Sequence, residues 1–104
     1  MKKEILPVIF RKFKDDNSVI AFFPTLVDSF SQFECMSYQR VGQHSTARVE
    51  LIAELKKCTV EEYIPLLNEI KGIYDDYKLE IVDRSHRKYF TIRLAECKRL
   101  MGMK

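Results

Sequence analysis

The sequence predicts an α+β fold: a mainly antiparallel sheet of about five strands, in the order β-β-β-β-α-β, covered by one helix and followed by a basic helix at the C-terminus. Three observations support this fold class. Short apolar, β-prone segments separated by turn residues fill the first half of the chain. A helix-capping sequence begins at Thr59, and a segment rich in Lys and Arg with helical periodicity follows residue 84.

The first two strands form a predicted hairpin. Residues 5–13 and 19–23 are apolar and β-prone, whereas residues 14–18 contain two Asp and one Asn. Asp and Asn side chains bond their own backbone and tolerate left-handed conformations, so they favour a turn. Pro24 ends the second strand, because proline has no N–H to give to a sheet.

Two further strands are predicted before the helix. Residues 33–38 alternate with a period of two, which indicates a third strand, and residues 25–32 form a predicted surface connection. Residues 47–55 are compatible with a strand or a helix. We favour the strand, because a helix here would leave almost no connection to the next helix.

A helix is predicted from Thr59 to about Tyr74. Thr59 and Glu62 have the spacing of a capping box, in which each side chain bonds the other residue's amide. Pro65 removes one internal hydrogen bond, so we expect a kinked or tightened first turn. Residues 79–82 then form the last predicted strand. The apolar stripe of the helix consists of Val60, Tyr63, Leu67, Ile70 and Tyr74.

The C-terminal segment is predicted to be a helix over residues 88–101. Its residues Phe90, Leu94, Cys97 and Met101 share one helical face. The alternation in residues 89–94 leaves open a hairpin with the preceding strand.

The bulk composition indicates one globular domain over residues 1–104, with residues 84–104 as a basic C-terminal extension. No stretch approaches the roughly 18 apolar residues that span a bilayer, and no signal-peptide pattern follows the first residues, so we expect a cytoplasmic protein without membrane contact. Three widely spaced cysteines suit free thiols in a reducing compartment. None of the Cys and His residues has the short paired spacing of a zinc site, so no metal or other cofactor is predicted.

The charge distribution is asymmetric. The net charge is +3, but residues 50–83 carry four basic and nine acidic residues, whereas residues 84–104 carry seven basic residues and one acidic residue. A concentrated basic segment suggests a nucleic acid as partner, although the two segments can also neutralise each other within the fold. The basic residues that would contact phosphates are Arg84, Arg87, Lys88, Arg93, Lys98 and Arg99.

A polar segment, residues 37–45, is the best candidate for a functional site in the sequence, and we expect it to form a loop. His44 has the chemistry of a general base, but the sequence identifies neither an orienting acid nor an oxyanion donor. The alternatives are a binding loop or a purely structural loop whose polar side chains satisfy backbone groups. Its candidate binding residues are Tyr38, Arg40, Gly42, Gln43, His44 and Ser45.

Several short segments carry a resemblance to known sequences. They are residues 7–13, 19–21, 23–24, 37–38, 41–44 and 61–63, and the combination of Ser37-Tyr38 with Val41-Gly42-Gln43-His44 is the most specific. In this order they resemble a group of short proteins of bacteria, phages and integrative mobile elements that has no established function. The resemblance spans about residues 7–83 and implies a fold and a gene context but no activity. Ser45 departs from the group, in which a glycine commonly follows the histidine.

These observations favour a small non-enzymatic accessory or interaction protein of a bacterial mobile element, with an unknown protein partner. The alternative is a nucleic-acid-binding module that uses the basic C-terminal segment and the loop from Tyr38 to Ser45. Homo-oligomerisation is a further hypothesis, because the chain has many large aromatic residues for so small a core. Those residues are Phe22, Phe23, Phe30, Phe33 and Phe90.

Overall fold

A computed structural model describes residues 4–27, 33–39, 43–100 and 102. The chain forms six strands and three helices within these residues. In chain order they are β1 (Glu4–Lys12), β2 (Val19–Phe23), β3 (Glu34–Gln39), β4 (Gln43–Arg48), α1 (Leu51–Glu54), β5 (Lys56–Lys57), α2 (Val60–Ile73), β6 (Tyr77–Ile81) and α3 (Arg87–Leu100). The predicted α+β fold class is confirmed, including the C-terminal helix.

The six strands form one sheet in the order β4-β3-β2-β1-β5, with β6 also paired to β1. All pairs are antiparallel except β1–β6, which is parallel and runs in register from Glu4 opposite Tyr77 to Val8 opposite Ile81. The predicted hairpin of β1 and β2 is confirmed. Its turn holds Asn17 at φ 61°, and the Asp16 carboxylate accepts from the Ser18 amide at 3.0 Å.

The two faces of the sheet carry separate parts of the core. Side chains alternate along β1, so Leu6, Val8 and Phe10 face α2 while Ile9 faces the opposite side. On the first face, α2 supplies Leu66, Leu67 and Ile70, and on the second, α1 supplies Ile52.

The capping box at the start of α2 is confirmed. The Glu62 amide donates to Thr59 Oγ1 at 3.3 Å, and the Thr59 amide donates to Glu62 Oε1 at 2.8 Å. The Thr59 carbonyl accepts both from the Glu62 amide at 3.1 Å, a three-residue bond, and from the Tyr63 amide at 3.2 Å, the ordinary four-residue bond. The predicted apolar stripe is wrong at Val60, which is 55% exposed.

The strand predicted over residues 47–55 is wrong from Val49 onwards. β4 ends at Arg48, and a short helical turn, α1, follows. The bonds of this turn include the Leu55 amide to the Leu51 carbonyl at 3.1 Å, and the turn rotates Ile52 into the core. Ile52 is the residue that breaks the two-residue alternation, and it lies inside this helical turn rather than at the end of the strand.

Candidate functional site

The inner side of α3 is held by an unusual set of buried side chains. Tyr89, Arg93 and Cys97 are each at most 4% exposed and recur every four residues, so they form one stripe towards the domain. The predicted stripe of Phe90, Leu94, Cys97 and Met101 is therefore wrong in its centre: Phe90 and Leu94 are only half-buried, and Met101 lies outside the described residues. This buried stripe contains an arginine where an aliphatic residue is usual. The arginine is tolerated because its charged group has bonding partners inside the domain.

Arg93 fixes α3 to the end of β2. Its Nη1 donates to the Pro24 carbonyl at 2.9 Å, and its guanidinium lies 5.8 Å from the centroid of the Phe90 ring. Burial lowers the pKa of Arg93, but an arginine stays charged at any physiological pH. The sequence predicts that Arg93 contacts phosphates, but in the structure its guanidinium donates to the Pro24 carbonyl inside the domain.

The outer side of α3 carries the remaining basic residues of this helix. Arg87 and Lys88 lie in its first turn, and Lys98 and Arg99 in its last turn, all four exposed. The Arg99 guanidinium contacts the Glu96 carboxylate within the helix. Arg84 is exposed just before α3. These five of the six predicted phosphate contacts are thus accessible, and the four on α3 are called the basic face below.

A groove separates one flank of α3 from β1 and β6. Its volume is about 600 Å³, and its apolar lining includes Ile5 and Ile92, which are 56% and 45% exposed. The carboxylates of Glu4, Glu80 and Glu96 also line the groove. Lys88 of the basic face lines the same groove, but the three carboxylates outnumber it and repel phosphates. The flank of α3 is therefore less suited to a polyanion than the rest of the basic face.

The polar segment over residues 37–45 does not form the predicted loop. Ser37 and Tyr38 belong to β3, and Gln43, His44 and Ser45 belong to β4, with Tyr38 opposite His44 in the register. Arg40 and Gly42 lie outside the described residues. The segment is therefore mostly a pair of strands.

The described side chains of this hairpin have structural contacts. Tyr38 is 1% exposed, and its hydroxyl donates to the Glu69 carboxylate on α2. Ser37 Oγ donates to the Ser45 carbonyl at 3.0 Å. Glu69 is a partner that the sequence analysis missed, although its spacing of three residues from Leu66 places it on the sheet-facing side of α2.

The thiols and acidic groups do not form a metal site within the described ranges. No group of three or more His, Cys, Asp or Glu residues converges there, and Cys35, Cys58 and Cys97 form no disulfide with one another. Burial raises the pKa of the Cys35 thiol to about 11, and the charge of Arg93 offsets this only in part. Burial and the neighbouring Glu62 also raise the pKa of Cys58, so neither thiol is activated as a nucleophile.

Two of the five phenylalanines considered for self-association are buried, namely Phe22 and Phe23. Phe33 is 59% exposed, and its ring lies 5.8 Å from that of Phe90. Phe30 lies outside the described residues. No described helix is long and apolar enough to span a bilayer.

Comparison with known proteins adds no identification: no family model, no curated protein and no solved structure matches the chain.

Proposed function

We propose that this protein is a non-enzymatic interaction protein that binds nucleic acid through the basic face of α3. The proposal rests on how the basic residues of this helix divide between its buried and its exposed side. Arg93 is buried and internally bonded, whereas Arg87, Lys88, Lys98 and Arg99 are exposed on the outer side. These four charges lie at the surface, where Lys88 contacts the Tyr89 ring and Arg99 contacts the Glu96 carboxylate. Phosphate contacts by Lys and Arg supply most of the affinity of non-specific nucleic-acid binding.

The charge of the rest of the molecule supports one orientation for such a partner. Residues 50–83 carry a net negative charge, whereas α3 carries a net positive one. A polyanion is therefore attracted to α3 and repelled by the acidic segment. An accessory role in a bacterial mobile element is the gene context that the resemblance implies, and it belongs to the same proposal.

A salt titration tests the proposal. We expect the protein to bind fluorescent DNA duplexes and single strands, with log K falling by about 3.6 per tenfold increase in salt if four phosphates are contacted on a duplex. The variant in which Arg87, Lys88, Lys98 and Arg99 are replaced by Gln should lose this binding. Affinity that is flat in salt, or absent at micromolar protein, would overturn the proposal.

A matched variant controls for net charge. Replacing Lys14, Arg48, Lys56 and Lys71 by Gln removes the same number of charges from exposed positions outside α3. This variant should keep most of the affinity and the salt dependence. Equal losses in both variants would mean that net charge, rather than the basic face, attracts the nucleic acid.

The second candidate is a protein partner, which the exposed ring of Phe33 and its half-buried neighbour Phe90 favour. Capture of partners with the tagged protein from nuclease-treated and untreated lysates separates the two functions. Partners lost after nuclease treatment support the nucleic-acid proposal, and partners that resist nuclease support the protein-binding function.

A further inference from the structure

The positions of charge on the basic face distinguish between kinds of nucleic acid. The charges form two pairs, Arg87 with Lys88 and Lys98 with Arg99, at the two ends of α3. An α-helix rises 1.5 Å per residue, so Lys88 and Lys98 lie about 15 Å apart along the axis. At 100° per residue, Arg87 and Lys98 project to one side of the basic face and Lys88 and Arg99 to the other. The major groove of B-DNA is about 12 Å wide, so with the helix axis along the groove these long side chains can reach the phosphates on both of its sides.

Small residues occupy the surface between the two pairs. Thr91 and Ala95 are exposed, and at 100° per residue both project between the directions of Arg87 and Lys88. A helix with its side chains is about 10–12 Å across, which matches the groove. Short side chains in the middle of the face allow the helix to approach the base edges closely.

We propose that α3 enters the major groove of double-stranded DNA, with the two basic pairs on the bordering phosphates and with Thr91 and Ala95 at the base edges. This inference rests on the proposed nucleic-acid function and specifies its substrate class. The methyl groups of Thr91 and Ala95 suit contact with thymine methyl groups, and the Thr91 hydroxyl can bond any base edge.

The aromatic residues of α3 argue against a single strand as the partner. Proteins that bind single strands stack the bases on exposed aromatic rings. Tyr89 is 3% exposed on the inner side, and Phe90 packs against Phe33 away from the basic face. Double-stranded RNA is a poorer fit because its major groove is deep and too narrow for side chains to read.

Three probes of one sequence test the inference: a 20-base-pair DNA duplex, the matching RNA duplex and the single DNA strand. We expect the DNA duplex to bind at least tenfold more tightly than the RNA duplex. Methylation of guanine N7, which adds a group in the major groove, should interfere with binding at two or more positions. Equal affinity for both duplexes together with no interference would overturn the major-groove inference.

A pair of variants sharpens the test. Ala95→Phe should weaken binding to the DNA duplex about tenfold, and Ala53→Phe, at an exposed position of α1, should leave it unchanged. If Ala95→Phe binds the DNA duplex as tightly as the wild type and the binding still depends on salt, the major-groove inference is wrong but the proposed nucleic-acid function stands. Absence of binding to all three probes would instead reject the proposed function itself. If Ala95→Phe unfolds, methylation interference with the unaltered protein still tests whether α3 enters the major groove.

Discussion

The two long helices, α2 and α3, have the same length of 14 residues but are held to the domain by different chemistry. The helix α2 buries Leu66, Leu67 and Ile70 against the sheet. The helix α3 buries a tyrosine, an arginine and a cysteine. Burial of a large aliphatic side chain contributes about 1.5–3 kcal/mol, whereas a buried charge is tolerated only when it is paired or hydrogen-bonded.

This difference indicates a division of roles. The capping box and the buried residues Leu66, Leu67 and Ile70 account for the position of α2 on the sheet. Neither helix capping nor contact with the core explains the exposed basic residues of α3. These residues form the surface on which the proposed function depends. The following predictions test whether α2 is the stabilising helix and α3 the binding one.

The largest expected effect is at the centre of α2. Ile70 is fully buried, so Ile70→Ala should lower the free energy of unfolding by about 2–5 kcal/mol through lost burial and the cavity that remains. Urea denaturation measures the change. Ile73→Ala on the same helix is the matched control, since Ile73 is 44% exposed, and it should cost less than about 1 kcal/mol. Similar losses for both would contradict the assigned orientation of α2.

The second prediction concerns the buried thiol of the sheet face opposite α2. Burial raises the pKa of Cys35 to about 11 from a usual value of 9.0. The unfolded chain therefore releases this proton at lower pH than the folded protein, so stability is complete below pH 9 and falls between about pH 9 and pH 11. Two pKa units correspond to at most about 3 kcal/mol.

Urea denaturation of the wild type and of Cys35→Ala across pH 8–11 measures this dependence. The wild type should lose more stability with rising pH than the variant. Parallel curves would show that Cys35 titrates normally in the folded protein and is not enclosed as the structure has it.

The third prediction tests how α3 is attached. Arg93→Met keeps an apolar stem but leaves the Pro24 carbonyl without its donor, which should cost about 1–3 kcal/mol. The control Arg99→Met removes an exposed arginine from the same helix and should change the free energy of unfolding by less than about 0.5 kcal/mol. A neutral or stabilising Arg93→Met would mean that packing alone holds α3.

The smallest predicted effect is at the start of α2. Thr59→Ala removes the hydroxyl that caps the Glu62 amide, and we expect a loss of about 1 kcal/mol in thermal or urea unfolding. Thr91→Ala, in the exposed middle of α3, should not destabilise, because alanine is the better helix former there. Equal effects of the two changes would show that the capping box contributes nothing to stability.

The features that the sequence predicted well are local ones. The turn before Val19 and the cap at Thr59 depend on residues that are neighbours in the chain, so their chemistry is visible without the fold. The parallel pairing of β1 with β6 joins distant segments, and the apolar pattern of a strand does not state its partner or its direction.

The candidate sites were predictable to different degrees. The exposed basic residues of α3 follow from composition and helical periodicity alone. The burial of Arg93 does not, because it depends on a carbonyl near the end of β2. The third strand, predicted over residues 33–38, lies at Glu34–Gln39, whereas the predicted loop includes the first half of β4. Gln43, His44, Ser45 and Thr46 are all polar, and such strands lack the alternation by which strands are recognised.

The parallel contact between β1 and β6 also has a consequence for how the chain acquires its structure. Tyr77, the partner of Glu4, is synthesised more than seventy residues later. During translation, the edge of β1 that pairs with β6 is therefore unpaired until β6 has been made. Long-range pairing of this kind slows folding, and an unpaired strand edge can associate with other chains. The period before β6 emerges from the ribosome is thus the interval in which the nascent protein is most exposed to aggregation.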